Sequence, residues 1–148
     1  MAEMLVNLRV LRDLEPVLDD LERAIGVVVR RAQADESGVI ADWVRENINP
    51  NWGLVCEVAL EQTPPHCFIA YQKNPADGAL DLTPENILGF ACYDVVTGGV
   101  FGPSGVREDQ QDTEAGTALL LCCMHAMAAE EHLEAVIGWS GMAIGYSG

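Results

Sequence analysis

The sequence predicts one α/β (α+β) domain, with a mixed central sheet flanked by helices on both faces. Three observations carry that prediction. Residues 67–72 (CFIAYQ) and 87–96 (ILGFACYDVV) are β-type runs, and the connector between them suits an antiparallel pair. Residues 99–106, 115–129 and 134–139 read strand, apolar helix, strand, which implies one right-handed parallel crossover. Helical patterns with one apolar face precede all of these strands. At 148 residues and 49% apolar composition the chain is large enough to bury its own core.

Taken in order, residues 13–25 form a helix that Asp13 can cap. Leu14, Val17, Leu18, Leu21 and Ile25 share one face, and Gly26 ends it. Residues 27–31 (VVVRR) are a short β-branched strand. Residues 34–47 are a second helix whose buried stripe is Val39, Ile40, Trp43, Val44 and Ile48, stopped at Asn49-Pro50-Asn51. Residues 53–61 fit a further helix, and Pro64-Pro65 breaks the chain. The connector 74–86 is rich in Pro, Asp and Gly and longer than a tight hairpin. The strongest helix, 115–129, sets Leu119, Leu120, Cys123, Met124 and Met127 along its inner side. On this reading 1–25 is a helical extension, 26–140 the core, and 141–148 a flexible tail with no element of its own.

Composition narrows the functional classes. No apolar run reaches membrane-spanning length and no charged leader precedes an apolar core, so a soluble, cytoplasmic protein is expected. Five cysteines, an odd number with no Cys-x-x-Cys pair, suit reduced, buried thiols. The formal net charge is −15, with Lys73 the single lysine. That balance argues against nucleic acid or an anionic membrane as partner, because phosphate contacts need Lys and Arg. It suits a cationic substrate such as an amine, and equally simple solubility.

Residues 99–121 read GVFGPSGVREDQQDTEAGTALLL. A β-type run passes through Gly102, Pro103, Ser104, Gly105 and Val106 into a polar loop, and a long apolar helix starts at Gly116. Strand, Gly-containing loop and helix together offer free backbone N–H groups to a phosphate. The segment resembles the acetyl-CoA signature of the GNAT superfamily of N-acetyltransferases, Gln/Arg-x-x-Gly-x-Gly/Ala. That frame falls on Gln111, Asp112, Thr113, Glu114, Ala115 and Gly116. The likeness covers roughly residues 26–146, with Leu88-Gly89-Phe90-Ala91-Cys92-Tyr93-Asp94 as a further specific piece.

The resemblance implies a GNAT-like fold, acetyl-CoA as cosubstrate, a small-molecule amine as acceptor, and no metal. Backbone groups of Ser104, Gly105 and Val106 would pair with the pantetheine arm. N–H groups from Gln111 to Gly116, with Thr117 next in the helix, would hold the pyrophosphate. Tyr146 would protonate the leaving thiolate. Asp94, beside Tyr93 near the end of a central strand, is placed either to face the acceptor, binding the amine or acting as base, or to serve simply as a strand-end polar residue. The family pattern also continues past this chain's last residue with a helix and two strands. The fold is therefore expected to be C-terminally truncated, to leave sheet edge uncovered beside residues 134–139, and to form a homodimer. Glu114 stands where the signature has glycine, and no Lys or Arg follows Arg107. These departures keep a second reading open, a non-catalytic GNAT-like domain serving as a binding or oligomeric module.

Other constellations read as packing. Cys122, Cys123 and His125 lie on one turn of an apolar helix, which favours core over metal ligation. His66-Cys67 opens an apolar strand and fits a nucleophile–base pair poorly.

Overall fold

A computed structural model of the chain describes residues 3–8, 11–73, 82–95, 98–110, 114–130, 134–138 and 142–145. In chain order the elements are β1 (Glu3–Asn7), α1 (Leu14–Ile25), β2 (Val27–Arg31), α2 (Ser37–Asn47), α3 (Pro50–Leu60), β3 (Cys67–Gln72), β4 (Ile87–Tyr93), β5 (Val100–Arg107), α4 (Ala115–Ala129), β6 (Glu134–Gly138) and β7 (Met142–Gly145). Short 3-10 turns precede α2 and follow β5. The strands form one mixed sheet in the order β1-β6-β5-β4-β3-β2, with β7 also on β5. From β2 to β5 every pairing is antiparallel, and β5 pairs with β6 in parallel, as the strand–helix–strand pattern predicts.

Each helix forms for a local reason. In α1, Val17 and Leu21 are buried, and Gly26 closes the helix in the left-handed conformation at φ 68°. Ile25, the last residue of α1 and expected on the buried face, is 45% exposed. Residues 34–36 wind as a 3-10 turn, so the α-helical part of the second helix begins at Ser37. In α3, Pro50 occupies the first turn and Asn49 Oδ1 accepts from the N–H groups of Asn51 (2.8 Å) and Trp52 (3.3 Å).

The sheet has a core on each face. Phe68, Ala70, Leu88, Ala91, Tyr93 and Phe101 pack under α1 and α4. Cys67, Ile69, Tyr71, Ile87, Phe90 and Cys92 pack under α2 and α3. Strand alternation produces this division, with one slip. Between Ala70 and Tyr71 of β3 the register to β4 jumps from Gly89 to Ile87, so Leu88 is an extra residue. Leu88 and Gly89 both face α4 as a result. A Cβ on Gly89 would lie 2.8 Å from Val106 Cγ1, 2.9 Å from the Gly105 carbonyl and 3.1 Å from Leu119 Cδ1. Glycine is required there for α4 to seat against the sheet.

Residues 1–25 are not an appendage. β1 pairs antiparallel with β6 along its whole length, from Glu3 opposite Gly138 to Asn7 opposite Glu134. The edge of β6 that was expected to await a partner chain is thus covered from within. α1 packs on α4 and β2 and shares their core. Residues 142–145, expected to carry no element, form β7.

Candidate functional site

β5 organises the site. Its outer edge pairs with β6 at Val100–Val136 and Phe101–Ile137, and then with β7 from Ser104–Met142 to Arg107–Gly145. The change of partner falls at Gly102-Pro103, where Pro103 has no N–H to give a ladder. On the inner edge, β5 advances three residues from Phe101 to Ser104 while β4 moves two, from Tyr93 to Ala91. Two residues lie between Phe101 and Ser104, but four lie between Ile137 and Met142. β5 therefore bulges at the point where its outer neighbour is interrupted.

Ser104, Gly105 and Val106, the residues expected to meet pantetheine, hold the second half of this edge, and their outer backbone groups face β7. The short apolar run Met142-Ala143-Ile144 falls in the tail expected to carry no element. Lying in parallel beside an otherwise unpaired strand edge gives it a ladder that local propensity does not reveal.

The C-terminal end of β5 meets the start of α4. A Cβ on Gly116 would touch Val106 Cγ1 at 3.7 Å, an ordinary contact. Packing therefore does not itself demand glycine at 116. The first-turn N–H groups of Gly116 and Thr117 in the 15-residue α4 precede the first i−4 carbonyl of the helix. Glu114 is the N-cap residue; it is exposed and its side chain caps nothing. Gln111, Asp112 and Thr113 lie outside the described residues.

One group here escaped the sequence reading. Arg107 ends β5 beside the loop, and its guanidinium forks onto Asp109, at 2.7 Å from Nη2 and 3.1 Å from Nε. The pair holds the Asp109 carboxyl below its usual range, through its hydrogen bond to Arg107. The spacing Arg-x-Asp was the available signal.

At the other end of β5, roughly 20 Å away at the rise of an extended strand, Asp94 closes the β4–β5 turn. It takes a positive φ of 53°, and its Oδ1 accepts from Gly99 N–H at 2.7 Å. Next to it Tyr93 stacks on His66, with ring centroids 4.5 Å apart. Arg31 Nη1 donates to the Tyr93 hydroxyl at 2.7 Å and to the Pro65 carbonyl at 2.6 Å, and its guanidinium lies 4.8 Å over the Phe68 ring. His66 Nε2 is 3.8 Å from the Glu130 carboxylate, and His66 Nδ1 is buried without a hydrogen-bond partner. Burial pushes the Tyr93 phenol up to about 12, so it stays protonated at neutral pH. This cluster unites β2, the β3 entrance, β4 and the end of α4. Tyr146 lies outside the described residues.

The remaining candidates are packing. All five cysteines are buried and free, and burial pushes Cys122 up to about 12. Cys56 and Cys92 sulfurs are 3.7 Å apart in the core under α2 and α3. His125 Nε2 donates to the Arg12 carbonyl at 2.8 Å. No cluster among the described residues could hold a metal ion, and no described helix is long and apolar enough to cross a membrane. An open cleft of about 690 Å³ lies on the far edge strand β2, between Val28, Arg30, Tyr71 and Leu82. Arg30, the one cation among its described lining residues, is spent on a bidentate pair with Glu36 at 2.6 and 2.9 Å.

A mixed sheet bulged at the strand before its crossover helix, with helices on both faces, is a GNAT-like fold. Among solved structures it is similar to a GCN5-related glucosamine N-acetyltransferase region of a fungal multi-domain GH3 β-N-acetylglucosaminidase. The TM-score is 0.65, the identity 9%, and the match covers 93% of this chain. The chain spans about 18% of that much longer protein. No sequence family matches the chain, and no curated relative matches it.

Proposed function

We propose that this chain is an acetyl-CoA-dependent N-acetyltransferase acting on a small amine. The observation that carries the reading is β5 itself: bulged at Gly102-Pro103, interrupted along its outer edge, and ending against the first turn of a long helix. With β7 off the edge it now holds, that arrangement would give strand-like pairing to a pantetheine arm along Ser104–Val106 and, where the start of α4 meets Val106, helical N–H groups to a pyrophosphate. Transfer would proceed by direct attack of the amine on the thioester. The protein would contribute position, a backbone N–H to polarise the carbonyl, and groups that accept and return protons. Asp94 and the His66–Glu130 pair are the proton acceptors at the far end of β5, and the protonated Tyr93 is an acid in the same cluster.

Calorimetric titration with acetyl-CoA tests the reading, followed by release of the CoA thiol in the presence of a panel of primary amines. Binding without turnover on any amine would favour the second reading, a non-catalytic binding module. Two observations lend that alternative weight: β7 lies along Ser104–Arg107, and Asp109 neutralises Arg107 beside a loop that also carries Glu114. Absence of binding at millimolar acetyl-CoA would sink the enzyme reading.

A further inference from the structure

We propose that β7 is a self-blocking strand, which competes with the acyl-CoA arm for one backbone edge and sets the protein's affinity for its cosubstrate. The inference rests on the acetyl-CoA reading above and specifies how that same site is regulated.

The argument is one of exclusive occupancy. From Ser104 to Val106 the inner edge of β5 is used by β4, in the pairs Ala91–Ser104, Phe90–Gly105 and Gly89–Val106. The outer edge over the same three residues is used by β7, in the pairs Ser104–Met142, Gly105–Ala143 and Val106–Ile144. A strand has two edges and each takes one partner, about 4.8 Å away. A pantetheine arm carries two amide groups in an extended chain and can pair with a strand edge as a peptide does. It can reach Ser104–Val106 only where β7 now lies. The inner edge cannot be surrendered, because β4 runs through the middle of the sheet with both faces buried.

β7 is built to leave. It is four residues long, whereas β6 on the same side is held from its other edge by all five residues of β1. Detaching β7 breaks pairing to β5 but leaves the β1–β6–β5 connection through Val136 and Ile137 in place. A ligand that needs a minor open state binds more weakly by the fraction of molecules that are open. A four-residue strand that is mostly docked lowers apparent affinity by about ten- to a hundredfold on that relation.

Two measurements test this. The first follows amide hydrogen exchange in the unaltered chain, with and without saturating acetyl-CoA. Displacement predicts faster exchange at those residues of Met142–Gly145 whose N–H groups face β5, while Gly105 and Val106 stay protected, one by β4 and the other by the incoming arm. Acetyl-CoA binding with 143–145 as protected as before would overturn the proposal. The second compares the Kd for acetyl-CoA of the parent, Ala143→Pro and Ile144→Pro. Successive strand residues point their N–H groups to opposite sides, so one of the two prolines removes a donor to β5. That variant should bind about ten- to a hundredfold more tightly. Equal affinity in all three chains would overturn self-blocking and leave the acetyl-CoA reading standing. No binding by any of the three would overturn both.

Discussion

Replacing Gly89 with alanine tests the contact that places α4, and with it the end of the site proposed to hold phosphate. The new methyl carbon would arrive 2.8 Å from Val106 Cγ1, 2.9 Å from the Gly105 carbonyl oxygen and 3.1 Å from Leu119 Cδ1. Carbon pairs attract best near 3.5–4.0 Å, so all three contacts are repulsive. The two side chains can turn aside. The Gly105 carbonyl cannot, because Gly105 is paired with Phe90 on one side and Ala143 on the other. Overpacking of this kind costs about 3 kcal/mol, the upper end of its usual range. For a chain of this size that lowers Tm by about 6–12 °C. Val106→Ala removes the nearest of the three atoms, so the double variant should be more stable than the sum of the single changes by about 1 kcal/mol. Thermal and urea unfolding of the four chains measure this directly. Gly89→Ala melting within 2 °C of the parent would refute the Leu88 bulge and the seating of Leu119 over it. The functional corollary follows from Val106, which touches both Gly89 and the Gly116 turn: a lifted α4 should weaken acetyl-CoA binding as it lowers stability.

Two further predictions concern charge. Asp109→Asn should release Arg107 toward the phosphate end of α4 and tighten acetyl-CoA binding about three- to tenfold at low salt, an effect that 0.5 M NaCl should erase because the pair is exposed. Glu114→Gly should act in the same direction, up to about a hundredfold on an unscreened estimate for a carboxylate ~5 Å from phosphate and less because Glu114 is exposed; affinity that is unchanged in both variants would place the pyrophosphate elsewhere. Hydrogen bonding to Arg30 lowers the Glu36 carboxyl below its usual range, so the pair's stabilisation is present above the unfolded carboxylate value near pH 4.3 and is lost as pH falls further. Glu36→Gln should flatten that acid limb in a series of thermal melts, and an acid limb identical to the parent's would deny the pair any role in stability.

What the sequence disclosed and what it withheld divide along one physical line. Val27–Val29, Ile40–Val44, Phe68–Tyr71 and Leu119–Met127 announce their elements because their side chains report burial, and burial pattern is what sequence periodicity encodes. The crossover followed from the same signal. β1 and β7 gave no such signal: each is a strand because a neighbouring backbone edge was open, and hydrogen bonding to an edge leaves little mark on side-chain type. Ile25 erred the other way, an apolar residue with helical spacing but nothing to face. The site divides similarly. As positions in the fold, the strand through Ser104–Val106 and the α4 start were legible from glycine and proline placement. The cluster of Arg31, His66, Tyr93 and Glu130 was not, since its members come from four separate elements that meet only once the sheet is formed. The consequence bears on function. On the proposed reading a cosubstrate would pair with backbone rather than side chains along β5, so the competence of the site would depend on which chain segment holds that edge. Residue signatures such as Glu114 would modulate the affinity, but the occupancy of Ser104–Arg107 would decide whether there is an edge to bind.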